Sequence, residues 1–225
     1  MSRKPTDIAP LDHLGWLADQ PQALKDWVAS VATWRDYRAG QVIYMAHDPA
    51  DGLHGLARGA LDISSPDAGD EQVALSRAEP GFWIGDTGLL SDAPRLVTVT
   101  AMTDARLLFV PGPAVVRLLN DQPEMWPCFY RLSNINLATA LKLLAEALSC
   151  PPRVRIAGNI LRLSIGEDDT VVASQADIAR LAGVTRATMQ RGLSDLIRAG
   201  AVETGYRSIR IRDRRALGQA ARLPH

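Results

Sequence analysis

The sequence predicts an α+β protein in which a β-rich N-terminal part is joined by one long helix to a helical C-terminal part. Short apolar runs alternate with Gly- and Pro-containing turns in the first half of the chain. A helical pattern then continues without interruption from Pro127 to Ser149. Beyond Pro151 and Pro152, shorter amphipathic stretches predict several helices followed by a hairpin. The predicted segments are residues 1–121, 122–150 and 151–225.

The composition is that of a folded protein with one large or two modest domains. The chain has 225 residues, of which 47% are apolar, so it can bury a sizeable core. No apolar run reaches the ~18 residues that a membrane helix needs, and no signal segment is visible at the N-terminus. We therefore expect a cytoplasmic protein with no membrane partner. Cys128 and Cys150 do not form a CxxC pair, which argues against a disulfide framework and the usual zinc and iron–sulfur sites.

Apolar runs rich in Val, Ile, Leu and Phe predict strands in the first half of the chain. These runs are residues 34–45, 53–64, 71–78 and 95–110. Turn sequences such as HDPADG and SPDAGD separate them. Many short strands with such turns favour a sandwich or a roll. An amphipathic pattern over residues 22–33 predicts a short helix before the first strand.

The long helix has a pattern that predicts a dimer interface. Pro123 and Pro127 fit only at its beginning, where missing amide donors cost little. Spacings of three and four residues then predict a coiled-coil seam formed by Phe129, Leu132, Asn136, Ala140, Leu143 and Ala147. In that seam Asn136 would be the polar position that fixes the register. The alternative is a helix that packs only on its own β-rich domain.

The stretch from Ser174 to Arg212 has the pattern of a winged helix-turn-helix. Ser174 can cap a first helix, with Asp177 three residues on, and Gly183 supplies the tight turn to a second helix. The second helix is capped by Thr185. Its apolar face consists of Met189, Leu193, Leu196 and Ile197. A glycine ends this helix, and an alternating hairpin follows as the wing.

The charge distribution favours a nucleic-acid partner for the C-terminal part. The whole chain is neutral, with 25 basic and 25 acidic residues. Residues 151–225, however, contain 13 Arg and 7 Asp or Glu, a net charge of +6, whereas residues 1–150 carry −6. Arginine suits bidentate contacts with guanine and phosphate. Helix-turn-helix proteins place such a basic helix in the major groove of double-stranded DNA.

A second motif lies in the stretch GFWIGDTGLLSDAPRLVTVTA, residues 81–101. Gly85 and Asp86 stand ten and nine residues before Arg95. A glycine can open a short helix whose amides receive a phosphate, and an arginine neutralises that phosphate with paired donors. A nearby carboxylate can accept a ribose hydroxyl. The stretch resembles the phosphate-binding cassette of cyclic-nucleotide-binding domains, in which a Gly-Glu pair is followed at this distance by Arg.

The order of roll, long helix and winged helix resembles that of the regulators related to the cAMP receptor protein and Fnr, the Crp-Fnr family. The segment HDPADGLHGLARGALDI, residues 47–63, also resembles the glycine-punctuated hairpin of that fold. The resemblance implies a homodimeric transcription regulator, without enzymatic activity, whose cyclic-nucleotide-binding-like β-roll senses an effector. It implies DNA and RNA polymerase as partners, and it suggests a cyclic nucleotide as the effector.

The resemblance also implies two sets of site residues. DNA would be contacted by Thr185, Arg186, Ala187, Thr188, Gln190, Arg191 and Arg207. The effector would be contacted by Gly85, Asp86, Thr87, Arg95, Leu96, Thr139 and Ala140.

The chain departs from the family pattern at both sites. Asp86 stands where the family has Glu, and Leu96 stands where a small residue usually follows the Arg. Ala187 stands where a Glu commonly reads a cytosine amino group, so we expect a different half-site. The alternative for Arg95 is a buried ion pair, with Asp86 as its partner, in a pocket that binds another ligand or none.

Two other function classes are compatible with parts of the sequence. The second hypothesis is a small-molecule-binding module whose C-terminal domain mainly contacts protein, and salt-dependent DNA binding separates it from the first. A metalloenzyme or a haem sensor would need clustered ligands. No such spacing occurs among His13, His47, His54, His225 and Cys128. No catalytic motif is visible, so we expect neither an enzyme nor a metal site.

Overall fold

Short antiparallel strands fill the first part of the chain, as the alternation of apolar runs and turns predicts. The computed structural model describes residues 5–66, 72–164, 169–171, 173–205 and 208–222. The strands in this part are β1 Thr33–Tyr37, β2 Val42–Tyr44, β3 Gly52–Arg58, β4 Leu61–Pro66, β5 Gln72–Ala78, β6 Trp83–Ile84, β7 Thr98–Ala101 and β8 Ala105–Pro111. They form two four-stranded sheets, in the orders β1-β8-β3-β6 and β2-β7-β4-β5. The predicted α+β class with an N-terminal β-roll is confirmed.

Several predicted runs contain two strands because turns interrupt them. Residues 34–45 become β1 and β2, and residues 53–64 become β3 and β4 on either side of the turn at Gly59. Residues 95–110 become β7 and β8. The two-residue strand β6 is too short to give a periodic signal of its own.

Helices precede, separate and follow these strands along the chain. Their bounds are α1 Gln22–Val31, α2 Asp86–Leu90, α3 Gly112–Asp121, α4 Trp126–Ser149, α5 Pro152–Leu163, α6 Gln175–Leu181, α7 Arg186–Arg198 and α8 Arg214–Ala220. The sequence analysis did not predict α3 or α8. The apolar spacing that indicates α3 is formed by Val115, Leu118 and Leu119, which are buried. The signal that indicates α8 is the Asp213 cap, which accepts the N–H of Arg215 at 2.8 Å. None of the helices among the described residues is long and apolar enough to cross a membrane.

The chain divides into two compact units, Met1–Thr139 and Ala140–His225. The predicted segment 122–150 therefore does not form a unit of its own, because α4 contributes residues to both. The first unit has one apolar cluster inside the roll and another between the roll and its helices. The second unit has its own apolar cluster.

One face of α4 packs into the first unit, and the sequence analysis had assigned this face to a dimer seam. Phe129 and Leu132 are 0% and 1% exposed in the core of that unit. Asn136 donates hydrogen bonds to two groups of the same unit. The assignment of Phe129 and Leu132 to a seam is therefore wrong, because their own chain already covers them, and the half-buried Asn136 uses its amide within its own unit. The other predicted seam positions are the half-buried Leu143 and the exposed Ala140 and Ala147.

Helices α5 to α8 and a small sheet form most of the second unit. The strands are β9 Thr170–Val171, β10 Val202–Gly205 and β11 Ser208–Ile211, in the order β10-β11-β9. Ile209 and Ile211 are buried, as the alternation in the hairpin predicts. The predicted apolar face of α7 is buried except for Ile197, which is 42% exposed. The architecture is the predicted winged helix-turn-helix.

Candidate functional sites

Side-chain caps fix the two helices of the helix-turn-helix. The Ser174 hydroxyl accepts the backbone N–H of Asp177 at 3.1 Å. The Asp177 carboxylate accepts the N–H of Ser174 at 3.0 Å, which completes a capping box. The Thr185 hydroxyl accepts the N–H of Thr188 at 3.2 Å and so begins α7. Because these contacts satisfy amides that helix starts leave unpaired, α6 and α7 begin at defined residues.

Helix α7 lies close against α5 at Gly192. A Cβ at this position would lie 2.7 Å from Cδ1 of Ile156, so glycine permits the close approach. Met189 and Leu193 on the same side of α7 are 1% and 3% exposed in the core of the unit. One face of α7 is therefore used for packing, and the opposite face is open to a partner.

The open face of α7 contains most of the residues that the resemblance assigns to DNA. Thr188 is half-buried, and the exposed members are Thr185, Arg186, Ala187, Gln190 and Arg191. Arg191 Nη2 donates to the Thr188 hydroxyl at 3.4 Å, a long hydrogen bond that leaves the guanidinium at the surface. Arg207 lies outside the described residues. The structure thus brings two arginines and one glutamine together on one helix face.

Two arginines of α5 that the sequence did not point to contact the end of α4, and one of them also contacts the turn of the helix-turn-helix. Arg155 Nη1 donates to the Ala147 carbonyl at 2.8 Å, and its Nη2 donates to the Gly183 carbonyl at 3.4 Å. Arg162 forms an ion pair with Glu146 at 2.6 Å. No sequence motif indicates these contacts, because each arginine is separated from its partners by a helix or a turn.

The cassette places Arg95 in the interior of the roll. Gly85 precedes α2 as its N-cap with a φ of +103°, and a Cβ there would collide with the Arg95 guanidinium. The Arg95 side chain is 2% exposed. Its Nη1 donates to the Gly85 carbonyl at 3.0 Å, and its Nη2 donates to the Gly52 carbonyl at 2.7 Å and to Asp51 at 2.6 Å. The buried Arg95 therefore forms its ion pair with Asp51, whose side chain is 53% exposed, and not with the predicted Asp86.

Aromatic rings and a histidine lie next to this ion pair. Arg95 Cζ lies 4.2 Å from the centroid of the Tyr44 ring, and Arg35 Cζ lies 3.3 Å from that of Phe109. His54 lies between the two rings, 5.6 Å from Tyr44 and 5.0 Å from Phe109. Burial raises the pKa of Tyr44, while the Arg95 charge opposes this effect. Burial also lowers the pKa of His54 to about 3, so its imidazole is neutral at physiological pH.

Asp86 is directed toward the long helix. The residue is 2% exposed. Its carboxylate accepts the hydroxyl of Ser133 at 2.6 Å and the side-chain amide of Asn136 at 2.8 Å. Asn136 donates in addition to the Trp83 carbonyl at 3.1 Å. The sequence analysis missed Ser133, although a serine and an asparagine at i and i+3 on one helix face were an available signal for a polar contact.

The remaining residues of the predicted effector site lie elsewhere or use their polar groups locally. Thr87 and Leu96 are exposed, Leu96 at 65%. The Thr139 hydroxyl donates to the Ile135 carbonyl of its own helix at 2.9 Å. Ala140 is an exposed residue of the second unit.

A cavity of about 750 Å³ lies on another part of the first unit. The turn at residues 47–50, the segment at residues 88–94 and one side of α3 line it. His47 and Asp92, which are part of its wall, have φ values of 73° and 51°. Neither Arg95 nor Asp86 borders this cavity, so it is not the predicted effector site.

Comparisons with known proteins match both units of the chain. Residues 34–122 match the cyclic nucleotide-binding domain, and residues 154–220 match the Crp-like helix-turn-helix domain. A CRP-like cAMP-activated global transcriptional regulator from Mycobacterium tuberculosis is 23% identical over 195 residues, which cover 83% of this chain and 87% of the relative.

Solved structures show the same fold. FixK2 from Bradyrhizobium japonicum superimposes with a TM-score of 0.75 at 20% identity, covering 87% of this chain and 100% of that one. The c-di-GMP-responsive global regulator CLP from Xanthomonas campestris gives a TM-score of 0.69 at 18% identity, covering 84% and 97%. Since one of these proteins is described as cAMP-activated and another as c-di-GMP-responsive, similarity of fold alone does not identify an effector.

Proposed function

Since this chain belongs to the Crp-Fnr family of transcription regulators, we propose that it is a homodimeric, sequence-specific DNA-binding regulator that reads the major groove with α7. The observation that carries the proposal is the division of α7 into a buried apolar face and an exposed face with Arg186, Gln190 and Arg191. Arginine and glutamine are the side chains that make bidentate contacts with guanine and adenine edges. The caps at Ser174 and Thr185 hold α7 in a fixed orientation for such reading.

Ala187 influences which sequence is read. It is exposed on the same face as Arg186 and Gln190, but its methyl group offers no hydrogen bond. An alanine can contact the methyl group of thymine, and it cannot accept a hydrogen bond from cytosine. Discrimination within each half-site then rests on the neighbouring arginines and the glutamine.

A dimer would present two copies of α7 to the two halves of a palindromic site. We assign one exposed stripe of α4 to the dimer interface and call it the exposed seam. It consists of Tyr130, Asn134, Leu137, Leu141, Leu144 and Leu148. Its spacings alternate between four and three residues, which is the heptad pattern of a coiled coil. All five apolar members are more than half exposed, so the chain itself leaves this stripe uncovered. Asn134 then takes the polar seam position that the sequence analysis gave to Asn136.

Selection of duplexes from a random pool by the full-length protein tests this function. The expected product is a two-fold symmetric site whose half-sites lie about 10 bp apart, centre to centre. Fluorescence anisotropy should then give an affinity that falls by about 10³-fold or more between 50 and 200 mM salt. If no sequence is enriched and association is insensitive to salt, the protein-contacting module becomes the better explanation.

A further inference from the structure

We infer that the cassette of this chain is closed by its own side chains, and that Asp86 anchors helix α4 instead of binding a cyclic nucleotide. The regulator would then bind DNA without a nucleotide effector. This inference rests on the proposed function for its DNA readout, but the contacts that support it lie entirely within the first unit. A cyclic nucleotide needs a partner for its phosphate, its ribose and its base, and the residues present can be tested against each need.

The phosphate has no free arginine to pair with, because the Arg95 guanidinium is already bonded to the protein. Its two terminal nitrogens donate to the carbonyls of Gly85 and Gly52 and to the Asp51 carboxylate, at 2.6 to 3.0 Å. The carboxylate supplies the negative charge that a phosphate would bring. Nε is buried and has no acceptor among the described residues. A single buried N–H does not replace the paired donors that make arginine a phosphate ligand.

The ribose has no suitable partner either, because both Asp86 oxygens accept hydrogen bonds from α4. Ser133 donates to one oxygen at 2.6 Å, and Asn136 donates to the other at 2.8 Å. The residue is 2% exposed, so a ribose hydroxyl could reach it only after α4 had moved away. The Asp side chain is one methylene shorter than the Glu of the family. The structure therefore joins this carboxylate to the helix, at the place where the family pattern would use it for a ligand.

The helix offers little to a base. Thr139 is exposed and its hydroxyl is bonded within its own helix at 2.9 Å. Leu96, which follows the arginine, is exposed and apolar. The residues of the cassette thus do not fit a cyclic nucleotide, and the reason is that protein groups already satisfy the charged atoms.

The contacts of Asp86 with Ser133 and Asn136, called the anchor below, have a direct structural consequence. Asp86 begins α2, while Ser133 and Asn136 lie on the side of α4 that contacts the roll. Asn136 joins two parts of the roll, because its amide donates both to Asp86 and to the Trp83 carbonyl. A buried carboxylate is costly when its donors are removed, so these contacts favour one placement of this part of α4 on the roll.

The first experiment measures nucleotide binding by the purified protein. Nucleotides released by denaturing the protein are quantified by chromatography, and the native protein is titrated calorimetrically with cAMP and with cGMP at millimolar concentration. We expect no co-purified cyclic nucleotide, no saturable heat, and an affinity for the selected duplex that changes less than twofold with either nucleotide. Saturable binding of either nucleotide, or a tenfold change in DNA affinity, would overturn the inference.

The second experiment tests the anchor by exchange of its partners. Asn136→Asp places a second carboxylate beside Asp86, and we expect an unfolding midpoint lower by about 5 °C and DNA binding weaker by about fivefold or more. Adding Asp86→Asn restores an amide–carboxylate pair, so the double variant should recover most of both losses. Thr139→Ala on the same helix is the matched control and should change neither value. Lack of any recovery in the double variant contradicts the anchor.

Two further readouts separate the inference from the proposed function. Ser133→Ala removes one hydrogen bond to Asp86 without adding charge, so its unfolding midpoint should also be lowered. This variant tests the anchor if Asn136→Asp does not fold. If the unmodified protein binds no DNA at all, the proposed function fails. The unfolding midpoints of the exchange variants still decide whether the anchor exists.

Discussion

His54 is a buried titratable group whose protonation is linked to stability. Burial, and next to it the charges of Arg95 and Arg35, lower its pKa to about 3, although Asp51 acts in the opposite direction. The unfolded chain takes up a proton at His54 near the ordinary pKa of 6.5, whereas the folded chain does so only near 3. The folded state therefore loses stability as the pH falls through this window, by about 1.4 kcal/mol per pH unit, and the contribution is constant above it.

Replacement of His54 checks this linkage. In His54→Leu the imidazole contribution to the pH dependence should disappear between pH 6 and 4, so the unfolding free energy of the parent should fall relative to that of the variant as the pH falls. Urea unfolding at a series of pH values gives the measurement. Parallel pH profiles for the two proteins would mean that His54 titrates normally in the folded state.

Arg191 should contribute to specific reading of DNA. Its guanidinium is exposed on the open face of α7, so Arg191→Ala should cost ~1–3 kcal/mol on the selected site and relax the preference at one base pair. Arg198, which is paired with Asp195 at 3.1 Å near the end of α7, provides the control. Arg198→Ala should have a smaller effect. An equal loss on selected and random duplexes would identify Arg191 as a phosphate contact.

At the residue scale, local chemistry was predictable and long-range partners were not. The caps at Ser174 and Thr185 are readable because a cap bonds to an amide three residues away. An ion pair of a buried Arg95 was one of the two alternatives that its motif left open. Its partner Asp51 lies 44 residues earlier, and nothing in the spacing distinguishes it from other acidic residues. Tertiary packing alone brings the two together.

The exposed seam gives a prediction at the scale of one helix. Leu144 is 55% exposed, and a charge there would be buried against the partner's own copy, so Leu144→Arg should dissociate the dimer. DNA affinity should fall by about 100-fold or more, because the two half-sites no longer bind as one linked unit. Sedimentation and anisotropy measure the two effects.

Thr139→Arg is the control for the seam. With about 100° of rotation per residue, position 139 lies on the side of α4 opposite to the seam. This variant should remain a dimer. Dissociation by both variants, or by neither, would argue against the assigned face.

The error over the seam has a clear physical origin. Helix α4 carries two apolar stripes, and both follow spacings of three and four residues. Periodicity identifies a stripe, but it does not say whether the chain's own roll or a second copy covers it. Helix α3 was missed for a different reason. It begins with Gly-Pro, and this pair is also typical of a turn.

At the scale of the whole molecule, separate apolar cores predict separate unfolding transitions. Leu107 belongs to a core of the first unit and Ile160 to that of the second, and both are 0% exposed. Truncation of either to Ala should cost ~2–5 kcal/mol in its own unit. Differential scanning calorimetry should show two transitions, each lowered by only one of the variants. A single transition moved equally by both would show that the two units unfold as one.

The order of the parts was predictable because composition changes along the chain. Short strands, one uninterrupted helix and a capped helix pair leave distinct patterns, and most of the second unit lies in the basic part of the chain, residues 151–225. The boundary between the units was harder to predict from the sequence. It falls inside α4 after Thr139, where the helical pattern is uniform and no turn residue marks it.

The positions of the tryptophans make the protein a spectroscopic reporter of its own state. The Trp83 ring is 1% exposed and lies edge-on to Trp16 at 5.2 Å, while its carbonyl accepts the Asn136 amide. Trp126, one turn before Tyr130 on α4, is 44% exposed. Release of α4 from the roll would hydrate a buried indole and shift its emission to the red, whereas association of two copies would shield an exposed indole and shift its emission to the blue. Unlabelled protein in one cuvette would therefore distinguish the two events by the direction of the shift.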